Sequence, residues 1–204
     1  MAHDDFATFH ATIQARAAGL STALDERDPV TYGHCSRVSG LAIALGGACA
    51  LSERELRKLV VAAGFHDVGK IGIPDDVLKK PGKFDASDWE IMRAHAEKGQ
   101  RIVLASSLDD GEAIGLAVRH HHERFDGQGY PDGLAGESIP VLARIIAVVD
   151  TYDAMASLRA YGQVRPHRQI MHVLHDVAGA QHDPYITGKF AALIEASPFR
   201  AEDA

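Results

Sequence analysis

Histidine and aspartate residues occur in four clusters that are spread over more than half of the chain. They are His34, then His66-Asp67 with His95 downstream, then His120-His121-His122, and finally Asp150 after the apolar run Ile145–Val149. Neutral imidazoles and carboxylates suit divalent metals, and one ion takes three or four such protein ligands. Because the chain offers more ligands than one ion needs, we expect a fold that gathers these distant segments around two ions.

The apolar residues follow helical spacing almost throughout, and no alternating strand pattern stands out. Capping boxes are predicted at Ser52–Glu55 and Ser87–Glu90, the second one opening a helix that carries His95. The helices are predicted at Asp4–Glu26, Thr31–Ala50, Ser52 to about His66, Ser87 to beyond His95, Glu112–His121, Pro140 to about Leu158, Pro166–Ala178 and Pro184–Ala196. The sequence therefore predicts one all-α domain, residues 1–204, built as a helical bundle of about seven or more helices.

Two segments stand apart from this bundle. Residues 1–26 form a predicted N-terminal helix that either connects to another element, forms a dimer surface or packs on its own domain. The stretch Glu123–Pro140 is rich in glycine, contains Pro131 and shows little periodicity. A loop of this length within a compact domain is usually functional.

Composition narrows the class of protein. A net charge of −7 argues against binding a nucleic-acid polymer, although a metal can still attract a small anion. The two cysteines, Cys35 and Cys49, lack metal-type pairing and fit a reducing, cytoplasmic compartment. No run of 18 apolar residues and no signal peptide is evident, so we expect no membrane association.

His66-Asp67 follows an apolar helical stretch and precedes Gly69, which we expect to end the helix and let both side chains reach one site. A carboxylate can bridge two metals through its two oxygens, so Asp67 is the predicted bridge. Asp150 follows five apolar residues and is expected to be buried or nearly so, and a buried carboxylate must be paired or bound to metal.

Several of these residues have plainer interpretations. Taken alone, His34 or His95 is more often a surface or hydrogen-bonded core histidine than a ligand. Three consecutive histidines cannot all face one site, so one of His120–His122 is predicted to be a bystander. Other residues are assigned to structure or given no role: Cys35, Trp89, Met155 and Met171 are predicted to be buried, His172 and His175 to be solvated, and His3, His10, His167 and His182 have no assigned role.

At His121–Pro131 the sequence resembles the HD-GYP subfamily, including the Gly129-Tyr130-Pro131 tripeptide, and His66-Asp67 resembles the HD superfamily of metal-dependent phosphohydrolases. The resemblance runs from about residue 20 to residue 195 and includes Lys80-Pro81-Gly82 and Ile139-Pro140. It implies an HD-type helical bundle and a bacterial phosphodiesterase that hydrolyses cyclic di-GMP to pGpG, with GMP as the alternative final product after a second attack in the same site. Catalysis would use a metal-bridging hydroxide.

The resemblance also implies roles for individual residues. Asp67 and Lys70 would be catalytic, and Lys70, Tyr130, Arg159 and Asp153 would bind substrate. From its position one helical turn after Asp150, Asp153 is also expected either to orient a metal ligand or to be a carboxylate on the helix surface. The cofactors would be two divalent ions, iron in the first place and manganese as the alternative, and the partners would be the substrate and either a second copy or a signalling protein. The implied metal ligands are His34, His66, Asp67, His95, His121, His122 and Asp150.

Two departures from the subfamily pattern keep other functions open. Val30 stands where some members have a glutamate for a third metal, so two metals are expected. After Met155 the subfamily usually reads Arg-Pro-Tyr-Arg, whereas this chain reads Arg159-Ala160-Tyr161-Gly162. The missing arginine motivates a different cyclic dinucleotide or a phosphomonoester as substrate, or a catalytically weak module that acts through protein partners. A di-iron oxygenase is a further alternative, which Lys70 and the Gly129-Tyr130-Pro131 motif disfavour.

Overall fold

The computed structural model describes residues 19–20, 22–157 and 165–203, and within these ranges the protein is helical with no β-strand. Residues 19–20 and 22–27 are helical, so only this end of the predicted N-terminal helix can be compared with the structure. The helices that follow are α1 Pro29–Ala48, α2 Glu53–Phe65, α3 Asp75–Leu78, α4 Ala86–Arg93, α5 His95–Ala105, α6 Gly111–His120, α7 Val141–Ala156, α8 His167–Asp176 and α9 Pro184–Ile194. The all-α prediction is confirmed for the described residues.

Side-chain caps fix several helix starts. Helix α1 is capped by Asp28, which directly precedes Pro29 and whose carboxylate accepts a hydrogen bond from the Thr31 amide. Helix α2 begins with the predicted capping box of Ser52 and Glu55. The predicted box at Ser87–Glu90 is wrong: the cap of α4 is Asp85, whose carboxylate accepts from the amides of Ser87 and Asp88. Helix α4 ends at Arg93, so His95 opens the separate helix α5 rather than continuing α4.

Helix α7 lies at the centre of the bundle and packs against α1, α2, α6, α8 and α9. Its residues from Ile145 to Val149 are all buried, as is Tyr152, because a helix that is apolar on every side is stable only when surrounded. Asp150 and Asp153 therefore project from a central helix into the interior. Two short 3-10 helices, Val68–Gly72 and Gly136–Ser138, lie in the connections, the second within the long loop Glu123–Pro140.

No helix in the described ranges has the length and apolar character needed to span a lipid bilayer.

Candidate metal centre

Five segments of the bundle, including α7 with Asp150, meet at one place and bring together all seven predicted metal ligands. The donor atoms form two adjacent groups, one with His34, His66 and Asp150, and one with Asp67, His95, His121 and His122. Helix α1 supplies His34, the end of α2 supplies His66 and Asp67, the start of α5 supplies His95, the end of α6 supplies His121 and His122, and α7 supplies Asp150.

Three of the histidines are oriented by the backbone of their own helix end or turn. The Nδ1 atoms of His66, His95 and His121 donate to the carbonyls of Ala63, Met92 and Val118, at 2.8, 2.7 and 2.6 Å. A carbonyl can only accept, so Nδ1 carries the proton and the lone pair of each Nε2 faces the site. Metal-binding histidines are commonly fixed in this way.

Asp67 lies between the two groups, with one oxygen towards each. Its Oδ2 atom lies 3.6 Å from His66 Nε2, and its Oδ1 atom lies 3.5 Å from His95 Nε2. The Lys70 ammonium donates to Oδ2 at 2.6 Å. Burial alone would raise the pKa of Asp67, but the charge of Lys70 and the adjacent imidazoles hold it well below the usual range. An ionised carboxylate with its oxygens divided between two donor groups has the form of a bridging ligand.

His34 is held differently, by a side chain from another helix. Its Nδ1 atom lies 2.7 Å from Asp153 Oδ2, and Arg37 holds the same carboxylate through two bonds of 2.8 and 2.9 Å. On the other side, His34 Nε2 lies 2.9 Å from Asp150 Oδ1 but without hydrogen-bond alignment. Burial would lower the pKa of His34, yet the two carboxylates raise it to about 9.

The remaining imidazoles are held neutral. Burial lowers the pKa of His66 and of His95, lowers that of His121 well below its usual value, and lowers that of His122 to about 3. Neutral imidazoles are the form that binds metal.

The donor set fits a pair of divalent ions. The Nε2 atoms of His34 and His66 are buried and lack a hydrogen-bond partner, and an orphaned polar atom of this kind is costly unless something binds it. His66 Nε2 lies 4.0 Å from Asp150 Oδ1. Two ligands of one ion, each about 2.1 Å from it, lie roughly 3 to 4 Å apart, which matches these separations.

Close backbone contact brings His66 and Asp67 to His95. A Cβ atom on Gly69 would lie 1.9 Å from the carbonyl oxygen of His95 and 2.5 Å from the amide nitrogen of Gly99. Only glycine lets the Val68–Gly72 turn lie directly on the first turn of α5. Gly69 thus has a different task from the predicted one, because α2 already ends at Phe65.

A cavity of about 820 Å³ opens over the site. Its floor contains donor residues of both groups, Lys70 and Tyr130 line it, and Asp153 lies behind His34 instead. The Tyr130 ring packs on His122 with 4.9 Å between centroids, and burial raises the pKa of its phenol. Trp89, predicted to be core, is 47% exposed and contacts Phe84 at the cavity edge, so that prediction is wrong.

Other sequence interpretations have clear outcomes. His120 lies outside both donor groups, as predicted for one of the three histidines, and the buried Cys35 has its pKa raised by burial. His172 and His175 are exposed, as predicted. Arg159 and Gly162 lie outside the described residues, so their roles stay predictions.

Sequence reasoning missed two buried histidines. His167 bonds to the Tyr152 hydroxyl and the Glu195 carboxylate, which is a structural role. His182 has neither ring nitrogen bonded and borders a cavity of about 50 Å³ behind His121, His122 and Asp150. Nothing in the local sequence marks either residue, because their surroundings come from distant segments.

A model of the HD domain family matches residues 19–186. This chain belongs to the HD domain family. It is of the HD-GYP type, as its sequence predicted.

Several relatives of this chain are phosphodiesterases by name. The cyclic di-GMP phosphodiesterase response regulator RpfG of Xanthomonas campestris is 39% identical over 165 residues, which are 81% of this chain and 44% of that protein. A cyclic di-GMP phosphodiesterase of Thermotoga maritima is 37% identical over 177 residues, covering 85% of this chain and 47% of the relative. The 3'3'-cGAMP-specific phosphodiesterase 2 of Vibrio cholerae is 36% identical over 165 residues, covering 81% and 32%. The chain thus spans less than half the length of each of these relatives.

Solved structures support the fold. An HDG"Y"P protein from Bdellovibrio bacteriovorus aligns with a TM-score of 0.67 at 18% identity, over 94% of this chain and 60% of that one. A cyclic GMP-AMP phosphodiesterase of V. cholerae aligns with a TM-score of 0.66 at 21% identity, over 88% of this chain and 48% of that one. At these identities the likeness shows the HD-type fold and nothing finer.

Proposed function

We propose that this protein is a metal-dependent phosphodiesterase that hydrolyses cyclic di-GMP to pGpG; a second cleavage in the same site would give GMP. The observation that carries the proposal is the position of Asp67, whose two oxygens face two separate donor groups on the floor of a cavity. The names of the Xanthomonas and Thermotoga relatives supply the substrate class. Free Cys35 and Cys49 accord with action in the reducing cytoplasm.

We assign the seven donor residues to two divalent ions, with iron as the first choice and manganese as the alternative. His34, His66 and Asp150 would hold one ion, His95, His121 and His122 the other, and Asp67 would bridge them. Such a pair activates water near neutral pH and offsets the charge that develops on a phosphate during hydrolysis.

The chain's own residues have separable tasks in this proposal. Lys70 holds Asp67 on one side and lines the cavity on the other, so its charge lies where a phosphate oxygen would bind. The Tyr130 phenol stays protonated and is available to donate a hydrogen bond at the edge of the site. Asp153 keeps the proton of His34 on Nδ1 and the Nε2 atom directed at the centre, a positioning task rather than direct substrate binding.

The cavity walls suit a cyclic dinucleotide. Its volume of about 820 Å³ lies in the range of roughly 300–1,000 Å³ that is usual for small-molecule sites. Trp89 and Phe84 meet edge to face at 5.3 Å between centroids, and Lys83 also lines the cavity, whereas the Lys80 ammonium is bound by Asp85 and Asp88. Aromatic rings that a base can stack on, together with an ammonium group that attracts phosphate, fit a ligand with purines and phosphodiester linkages.

The test is turnover of cyclic di-GMP by protein reconstituted under nitrogen with ferrous or manganous ions. We expect two ions per chain at this centre and conversion to pGpG. His66→Ala and Asp67→Ala should each lose metal and lower turnover on the order of a thousandfold. Asp76→Asn is the control, because Asp76 is an exposed carboxylate on α3 that does not line the cavity. Full turnover by the metal-free variants would refute the proposal.

A second candidate substrate is 3'3'-cGAMP, which the name of the V. cholerae relative attributes to that protein. Both substrates carry two purines and two phosphodiesters, so the cavity accommodates either, and Gly162 in place of an arginine removes one predicted contact. Parallel assays with cyclic di-GMP, 3'3'-cGAMP and a phosphomonoester decide the matter through their kcat/KM ratios. If kcat/KM is higher for 3'3'-cGAMP than for cyclic di-GMP, then 3'3'-cGAMP becomes the proposed substrate.

A further inference from the structure

A second cluster of metal-ligating side chains lies outside the site described above. His120, Glu123 and Asp132 bring one ligand atom each within 4.8 Å of one another. His120 is the last residue of α6, and Asp132 belongs to the loop that carries Tyr130. The cluster therefore joins the helix end that precedes His121 and His122 to the loop over the cavity.

Two atoms of this cluster are buried without a partner. His120 is 5% exposed and its Nδ1 atom makes no hydrogen bond, and Glu123 is 4% exposed with its Oε2 atom unbonded. The other Glu123 oxygen, Oε1, accepts from the amides of Asp132 at 2.7 Å and Gly133 at 3.1 Å. These contacts fix the carboxylate but leave one of its oxygens available.

The spacing of the cluster suits a metal better than direct hydrogen bonds. His120 Nδ1 lies 3.6 Å from Glu123 Oε1 and 3.6 Å from Asp132 Oδ2, both too long for a hydrogen bond. Two ligands of a tetrahedral zinc ion, each about 2.1 Å from it, lie roughly 3.4 Å apart. His120 Nδ1 and Asp132 Oδ2 are therefore spaced as two ligands of one ion, and Glu123 would contribute Oε2, because Oε1 is already bonded to two amides.

The charges around the cluster also favour a cation. Arg119 holds both oxygens of Asp132, at 2.8 and 2.7 Å, and contacts Glu97 at 3.2 Å. The carboxylates of Glu97, Glu123 and Asp132 carry three negative charges and Arg119 carries one positive charge. The four groups together therefore have a net charge of about −2. A carboxylate oxygen has two lone pairs, so Asp132 can accept from Arg119 and ligate an ion as well.

We propose that His120, Glu123 and Asp132 form a separate structural site for a divalent transition-metal ion, for which zinc is the probe. The ion would fasten the loop bearing Tyr130 to the end of α6, and water would complete its coordination, since three protein ligands leave a fourth position open. This site shares no ligand with the candidate metal centre.

Zinc counting on folded protein tests the proposal without relying on turnover. After equilibration with Zn²⁺ and desalting, wild-type protein should retain one ion per chain more than Asp132→Asn, and the variant should bind this ion on the order of a hundredfold more weakly. Asp126→Asn is the matched control, because Asp126 also lies in this loop and is held by an arginine, Arg124, through two bonds. It should retain the wild-type count.

A substitution can distinguish the ions of the two sites, because His66→Ala should remove the ions of the candidate metal centre and leave the zinc ion of the second site in place. Equal zinc counts and affinities in wild-type protein and Asp132→Asn would overturn the proposal. If Asp132→Asn does not fold, anomalous diffraction at the zinc edge from wild-type crystals decides: a peak among His120, Glu123 and Asp132 supports the site, and its absence there refutes it.

Discussion

The histidines of the candidate metal centre are oriented by two different means. His66, His95 and His121 each donate Nδ1–H to a carbonyl three residues earlier, so the local backbone alone sets their direction. His34 lies within α1, where every nearby carbonyl is already used by the helix, and depends on Asp153 and Arg37 instead. A side-chain anchor can be removed by one substitution, whereas a backbone anchor can be disturbed only by moving the backbone.

The largest effect should come from moving that backbone. Gly69→Ala would place a methyl group 1.9 Å from the His95 carbonyl oxygen, so the turn must separate from α5 and carry Asp67 away from His95. We expect loss of metal from the centre and a decrease in turnover on the order of a hundredfold or more. Metal counting and circular dichroism together measure this, because the helices themselves should persist.

Gly64→Ala is the matched control for this substitution. Gly64 lies inside α2, and its Cβ would meet only the Ser39 hydroxyl at 4.0 Å. Alanine at this helical position should preserve the metal and raise stability by up to about 1 kcal/mol. Equal metal contents in the two alanine variants would show that the contact at Gly69 does not position the centre.

An intermediate effect is expected from Asp153→Asn. The amide keeps the shape of the carboxylate but loses the charge that holds the proton on His34 Nδ1 and pairs with Arg37. Metal affinity should fall by roughly 10- to 100-fold, and the loss should be confined to the ion next to His34. Titration with manganese under nitrogen, followed by electron paramagnetic resonance, separates the two ions; an equal loss at both would contradict the division into two groups.

The smallest effect is expected from Arg37→Lys. Lysine keeps the charge but cannot reproduce the two parallel bonds to Asp153. Because Arg37 is 41% exposed, solvent screens the pair, and we expect a loss of about 1 kcal/mol or less, or about fivefold in metal affinity. Calorimetric metal titration checks this value. A loss as large as that of Asp153→Asn would mean that Arg37, rather than the carboxylate, fixes His34.

The sequence predicted the structure well where a residue type is stable in only one kind of environment. An aspartate after Ile145–Val149 must be compensated, and an all-round apolar helix must be central, so both the near-burial of Asp150, whose side chain is 15% exposed, and the place of α7 followed from the chain. The start of α4 was harder, because Asp85 and Ser87 are both good caps and only the structure shows which amides are bonded. The exposure of Trp89 was also unpredictable, since the cavity beside it is built from segments far apart in sequence.

The division of the ligands into two groups likewise depended on packing. Residue types and spacing identified candidate donors, but only the approach of Gly69 to α5 shows why Asp67 reaches His95 as well as His66. The sequence did not show that nitrogens of His120 and His182 lack a hydrogen-bond partner, because a missing partner is a property of the surroundings.

The Glu123 carboxylate connects the loop to the helix end in a way that bears on selectivity. By accepting the amides of Asp132 and Gly133, it joins the segment around Tyr130 to the residue directly after His122. The Tyr130 ring also packs on the His122 ring, so the cavity wall and the neighbouring imidazole share one support. A ligand that displaced Tyr130 would therefore also disturb His122, which couples access to the cavity with metal coordination.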